Sequence, residues 1–495
     1  MRDGRLATIK LPPPSLLLIP PMRIILLLAA VALLTGPTLA GELKAGAFAM
    51  DITPEAFPVS INGGMRDRQA KGANDPLMAR CLVLDDGETT LAIAVCDSCM
   101  IPRDIFDAAK LLASNSTGIP TSHMLMSATH THEAVTVTGV FQSEPEPAYR
   151  EFLTRKIAAG IEQAWKTRRP ARIAWGSGTD PSQLFNRRWF MQPSVVNESP
   201  FGDTTEAVKM NPGFSRERLK EPSGPIDPEV GIISLQTADG KPLALFANYS
   251  LHYVGDVPGE MLSGDYYGVF AERLAAKFGG DSPEFMAVMS NATSGNINNV
   301  DYSSGKARER KGTLEQSTAV ALSVIDAISK VLPDLQYSSD IKLAAAQTEI
   351  ELGVRHPTSD DLQRAEDRLA KAGPGPYSDV KDVYARETVL LAKYPPQVKV
   401  VLQAFRIGDM ALVSSPCETF CETGLAIKAA SPFKPTFVVE LANGYNGYLP
   451  TPEHHAWGGY ETWRARSSYL AEDAEPIIRS TLLDLLGKLQ QGRGP

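Results

Sequence analysis

Histidine is scarce in this chain, with seven in 495 residues. Cysteine is scarcer still. Five in a chain of this length cannot build a disulfide scaffold. Cys96 and Cys99 lack a second pair to complete a zinc ribbon, and Cys417 and Cys421 read as small buried side chains on a helix. No stretch is rich in arginine or lysine, and the formal charge is −8, which argues against a nucleic-acid partner. Long apolar runs are missing too. The run Ile24 to Leu34 is too short for a comfortable membrane span, so no transmembrane anchor is expected in the mature protein. What remains is an ordinary globular composition, 43% hydrophobic and 21% charged, able to bury a full core.

Residues 1–40 are not expected to belong to the fold. Met22-Arg23, the apolar run and Thr38-Leu39-Ala40 form the charged, apolar and small-residue succession of a signal peptide cleaved near Ala40. Translation from Met22 is an alternative start. The mature protein is expected to be exported, to the periplasm or the medium.

Residues 41–495 read as one large α+β or mixed α/β domain, with sheet hairpins interleaved with helices. Asp85-Asp86-Gly87 separates two apolar arms, Cys81 to Leu84 and Thr90 to Val95, as hairpin turn chemistry does. A second hairpin joins Gly231 to Gln236 with Pro242 to Tyr249, and a third joins Val398 to Arg406 with Met410 to Ser414. Helices are expected over Arg103 to Ser114, Pro147 to Trp165, Tyr266 to Phe278, Thr313 to Val331 and Asp473 to Leu489. Residues 356–394, charged and alanine-rich, read as a helical surface excursion. A helix beginning near Pro416 would carry Glu418 in its first turn.

The scarce histidines are placed tellingly. His130 and His132 close the apolar run Met124 to Ala128, at i and i+2 where a buried strand ends. In extended backbone that spacing turns both imidazoles to one side. The pair suits a metal site in which one ring ligates and the other moves protons. His252, Glu418 and Tyr448 also follow apolar segments. Two imidazoles, a carboxylate and an oxygen donor are a usual complement for catalytic zinc. Each also has a purely structural reading: a hydrogen-bonded core histidine, an acid answering a helix dipole, a turn tyrosine. His454-His455 reads as facing solvent or the rim of the site, in a polar loop between Tyr448 and Tyr460. Asp51 and Asp97 are candidates to orient ligands, with helix-cap or turn roles equally open.

A set of segments in order carries a resemblance. They include Met50-Asp51-Ile52-Thr53-Pro54, Asp75-Pro76-Leu77-Met78-Ala79-Arg80, Ser127-Ala128-Thr129-His130-Thr131-His132 and Phe185-Asn186-Arg187. Asn248 to His252, Ser263-Gly264-Asp265-Tyr266, Pro416-Cys417-Glu418, Gly447-Tyr448 and Gly459-Tyr460-Glu461 follow. From about residue 45 to 470 the chain resembles the catalytic domain of the neutral/alkaline, non-lysosomal ceramidases, in particular short exported bacterial members.

The resemblance implies one Zn2+ held by His130, His252, Glu418 and Tyr448. His132, two residues from a ligand, is the candidate proton shuttle, and by the resemblance Arg187 and Tyr460 lie near the site to donate to the developing oxyanion or to substrate hydroxyls. The substrate it implies is a lipid-like N-acyl amide. One position departs from the pattern. Where the family carries a serine in a G-x-x-S-P-type run, this chain has Gly295-Asn296-Ile297-Asn298-Asn299, so Asn298 takes the substrate-contacting place. An amide hydrogen-bonds but is no nucleophile, which favours activated water over an acyl-serine. The chain ending at Pro495 leads us to expect no further C-terminal β-domain. Two alternatives stay open: a zinc hydrolase of another acyl ester or amide, and a metal-bearing binding protein without catalysis.

Overall fold

Most strands of the large sheet are buried almost throughout, and successive residues fall alternately into an inner and an outer core. The computed structural model describes residue 1, residues 10–13, and residues 42–492 except 281, 283, 310 and 311. The expected signal sequence from Met22 to Ala40 lies outside the described residues. The strands are β1 (Lys44–Asp51), β2 (Met78–Asp85), β3 (Thr90–Cys96), β4 (Met124–Ala128), β5 (Arg169–Thr179), β6 (Glu229–Thr237), β7 (Pro242–Tyr249) and β8 (Met286–Asn291). They form one mixed sheet in the order β8-β7-β6-β5-β1-β2-β3-β4. A second sheet has the order β9 (Leu343–Gly353), β10 (Gln397–Ile407), β11 (Met410–Ser414) and β12 (Thr436–Val439). The architecture is mixed α/β, as the sequence implied.

The large sheet is folded over. β1 and β5 share only the pairs Lys44–Pro170 and Ala45–Arg169, and edge strand β8 contacts β2, β3 and β4 near the other edge. Leu82, Leu84 and Ile93 from one half, Ile233 and Phe246 from the other, and Phe405, Leu412 and Phe437 from the second sheet therefore share one core. Their neighbours in sequence face outward onto helices. Cys81 and Val83 pack with α1 (Arg103–Thr117) and α2 (Pro147–Lys166). Ile232 and Leu245 pack with α3 (Asp265–Phe278) and α4 (Glu315–Val331). Leu402 and Val413 pack with α7 (Cys421–Ala430) and α9 (Ala474–Gln490). Between them come α5 (Ser359–Ala372), α6 (Val380–Leu391) and the short α8 (Pro452–Trp457). Helix α5 buries only Ala365, whereas α6 buries Val383, Tyr384, Glu387 and Leu391.

Three strand pairs within the two sheets are parallel: β3 with β4, β7 with β8, and β11 with β12. Each is joined through a helix, α1, α3 and α7 respectively, as parallel neighbours require. The carboxyl ends of these strands lead into the loops that carry the polar residues described next. No helix among the described residues is long and apolar enough to cross a membrane.

Candidate metal centre

His130 lies two residues past β4, His252 three past β7 and Glu418 four past β11. All three are buried. The two imidazoles of the Thr-His-Thr-His segment do meet, but not by strand alternation. β4 stops at Ala128, and His130 has φ 76, a left-handed conformation uncommon for a side-chain-bearing residue. Backbone bonds from Thr129 to the Cys96 carbonyl (2.9 Å) and from His130 to the Ser98 carbonyl (2.8 Å) hold this turn.

Glu418 is a correction to the expected helix start. The helix begins at Cys421, and Glu418–Thr419 is a two-residue strand paired in parallel with Tyr448–Leu449. Glu418 also donates its N–H to the Gly447 carbonyl at 2.9 Å. Gly295 packs directly against this strand, where a Cβ would lie 2.5 Å from the Glu418 carbonyl oxygen. Only glycine permits that approach.

Three donor atoms converge. His130 Nε2 is 2.9 Å from His252 Nε2 and 3.2 Å from Glu418 Oε2, and His252 Nε2 is 3.6 Å from the same oxygen. The opposite nitrogens fix the tautomers. His130 Nδ1 lies 2.7 Å from the Cys99 carbonyl and His252 Nδ1 lies 3.2 Å from the Ser294 carbonyl. Carbonyls only accept, so both Nδ1 atoms carry hydrogen, and in the neutral rings both Nε2 atoms present lone pairs. Glu418 Oε1 accepts from the Tyr445 hydroxyl at 3.0 Å, while Oε2 is buried with no hydrogen-bond donor. Three lone-pair atoms facing one point call for positive charge. Burial disfavours an imidazolium at His130, yet Glu418 and Cys99 together more than offset it and hold its pKa well above the ordinary histidine value. A divalent cation would satisfy all three atoms at once, and ligands about 2.0–2.1 Å from a tetrahedral zinc stand about 3.3 Å apart. The donor set fits zinc.

His132 Nε2 is 3.2 Å from His130 Nε2. Its ring is stacked on Tyr253, centroids 3.6 Å apart and planes 13° apart, with Gly63 against it. Burial, then His130, Arg187 and Arg68, hold its pKa well below the ordinary histidine value, so the ring is neutral. The Tyr448 ring lies parallel to His252, 6.5 Å between centroids. Its hydroxyl accepts from Arg187 Nη2 at 3.0 Å. Tyr460 packs 5.8 Å from Tyr448 and, like it, lines the small cavity beside His130 and His132.

Asn298 is not among the residues that line this cavity. Its amide donates to Asn211 Oδ1 at 2.9 Å and accepts from the Val300 N–H at 3.0 Å. Asp97 is taken up by Arg80 and the Met78 N–H, and Asp51 caps its own turn at Thr53, so neither orients a ligand.

No family model and no curated protein sequence matches this chain. Solved structures do. Neutral ceramidase from Pseudomonas aeruginosa superposes with a TM-score of 0.69 over 92% of this chain and 75% of its own, at 18% identity. A ceramidase complexed with C2 gives a TM-score of 0.68 over 92% of this chain and 76% of its own, at 17% identity. The fold is neutral-ceramidase-like.

Within this ceramidase-like fold, a set of buried ion pairs and hydrogen bonds surrounds the cluster, and the sequence did not disclose their pairing. Arg187 Nε and Arg188 Nη1 both donate to the buried Glu461, at 2.8 and 2.6 Å. Arg188 Nε donates to His454 Nδ1 at 3.2 Å, and His454 Nε2 is 3.1 Å from Glu422 Oε1. His454 is thus a buried relay residue on α8, not a solvent-facing loop residue. Behind His252, the Ser294 hydroxyl donates to Glu440 at 2.6 Å, and burial pushes the Glu440 carboxyl up to about 8. Thr451 and Pro452 at its start and Gly458 after its end were the available signals for α8.

Proposed function

We propose that this chain is an exported, zinc-dependent amidohydrolase that cleaves an N-acyl, ceramide-like amide. The observation that carries the reading is the convergence of His130 Nε2, His252 Nε2 and Glu418 Oε2, each ring oriented from behind by a backbone carbonyl. These three residues would hold the ion, with the Tyr448 hydroxyl as fourth candidate donor. When bound, the ion supplies Lewis acidity, polarising an acyl carbonyl and acidifying a water. Glu418 offsets the charge of the dication. Arg187 keeps a positive charge beside the Tyr448 oxygen and orients it. His132, neutral and clamped, takes the proton of the attacking water and returns it to the departing amine nitrogen. Tyr460 donates to the oxygen on which negative charge develops. Asn298 remains a contact for a more distant part of the substrate. Export rests on the succession of residues 22–40.

The test is direct. Purified protein should contain about one zinc per chain by elemental analysis, and His130→Ala should lose both metal and hydrolysis of N-acyl amides. Full metal retention in that variant sinks the ligand assignment. Stoichiometric metal without turnover of any amide or ester sinks the hydrolase reading and leaves a metal-binding protein.

A further inference from the structure

Phe141 closes one side of the metal-ligand cluster, and nothing in its sequence surroundings marks it. It lines the cavity with Met100 and Val140, beside His130, His132 and Glu418. The cavity is about 20 Å³, room for about one water molecule. Sites for drug-sized ligands run to about 300–1,000 Å³.

The wall is built, not merely collapsed. Phe141 has φ 54, a strained conformation for an aromatic residue and one that surroundings must enforce. Its carbonyl accepts from two guanidinium groups, Arg386 on α6 and Arg466 Nη2, the latter at 2.9 Å. Arg466 is in turn gripped by the buried Glu387 of α6, through bonds of 2.7 and 3.0 Å. The Phe141 ring lies 5.8 Å from Tyr384 of α6 and 6.4 Å from Tyr460. The next residue, Gln142, donates to the carbonyls of Met65 and Tyr377 and accepts from the Tyr377 N–H at 2.6 Å. Helix α6 and the segment before it therefore back this wall against the site.

Resting on the amidohydrolase reading, we propose that Phe141 is a specificity-determining residue that restricts this site to amides with a compact acyl group, such as acetyl. A long acyl chain finds the space beside the ligand cluster filled by an aromatic ring whose backbone the two arginines hold in place. Phe141→Gly removes that ring and suits the left-handed backbone; Phe141→Leu is a milder second variant.

Zinc-loaded protein is assayed on N-acetyl, N-hexanoyl and N-palmitoyl derivatives of sphingosine and of p-nitroaniline. In parallel, binding of acetohydroxamate and octanohydroxamate, which chelate zinc, is measured by calorimetry. Wild type should favour acetyl over palmitoyl by about tenfold or more in kcat/KM, and acetohydroxamate over octanohydroxamate in Kd. Both ratios should collapse in Phe141→Gly and narrow in Phe141→Leu. Wild type that turns over palmitoyl amides as fast as acetyl amides, or binds both hydroxamates equally, overturns the proposal while sparing the amidohydrolase reading. Size-limited hydroxamate binding without any amide turnover supports the restriction and sinks that reading instead.

Discussion

The Nε2 atoms of His130 and His252 stand 2.9 Å apart while each ring is tied at its other nitrogen to a backbone carbonyl. Lone pairs so disposed repel unless positive charge lies between them, and Glu418 Oε2 adds a third. The folded chain should therefore gain stability from zinc that the unfolded chain cannot share. At a free concentration about a hundredfold above Kd the gain is about 2.7 kcal/mol. Thermal unfolding with zinc and with chelator measures it. His252→Ala should lose the zinc-dependent rise in Tm, and an equal rise in that variant would remove His252 from the ligand set.

Gly63 and His132 give a way to disturb the proposed proton carrier without touching a ligand. Gly63 has φ 98, and a Cβ there would lie 2.5 Å from His132 Cγ and Nδ1. Gly63→Ala should tilt the imidazole off the Tyr253 face. We expect zinc content near wild type and kcat lower by about 10- to 100-fold, a loss in the range general acid–base catalysis contributes. Unchanged kcat with the imidazole visibly displaced in a crystal structure would end the shuttle role for His132.

These expectations show what the sequence could and could not disclose. His130, His132 and His252 were legible because buried strands announce themselves by apolar runs, and a scarce residue just past a strand end stands out. Glu418 was legible in type but not in setting. Pro416 looks like a helix start, yet pairing with Tyr448–Leu449 claims Glu418–Thr419 as strand and delays the helix to Cys421. Such tertiary pairing overrides local propensity. The mutual contacts of Glu461, Arg188 and His454 were opaque for a related reason. Their importance lies in meeting one another across more than 250 positions of chain, which no local pattern records. The left-handed backbone of His130 and Phe141 leaves no compositional trace either.

Glu461 neutralises two arginines, Arg187 and Arg188, and all three side chains are buried. Removing the carboxylate strands two cations in low dielectric, a change that costs about 3–5 kcal/mol when a buried pair is broken. Glu461→Ala should lower the urea midpoint accordingly. Because Arg187 holds the Tyr448 hydroxyl, kcat should fall as well, whereas His454→Ala, one step further along the chain of bonds, should cost less in both. A stable, fully active Glu461→Ala protein would mean that the arginines find other counter-charges.

Lys110 offers a test remote from the metal ligands. It is buried on α1, and its ammonium donates to Asn443 Oδ1 at 2.7 Å. Burial pushes its pKa down from 10.5 to about 8, against the smaller opposing pull of Asp107. The folded pKa lies below the unfolded one, so between about pH 8 and 10.5 the unfolded chain holds more protons. Folding stability from this group must then rise with pH across that window, by up to about 3 kcal/mol. Lys110→Met cannot titrate, and Asn443 Oδ1 keeps the Met126 N–H as a donor at 3.3 Å. The difference in unfolding free energy, wild type minus Lys110→Met, should therefore climb from pH 7 to pH 10 in urea titrations. Subtracting the variant cancels the tyrosines and other groups that also ionise there. A flat difference would show that Lys110 keeps its proton in the folded protein, and that a counter-charge compensates its burial.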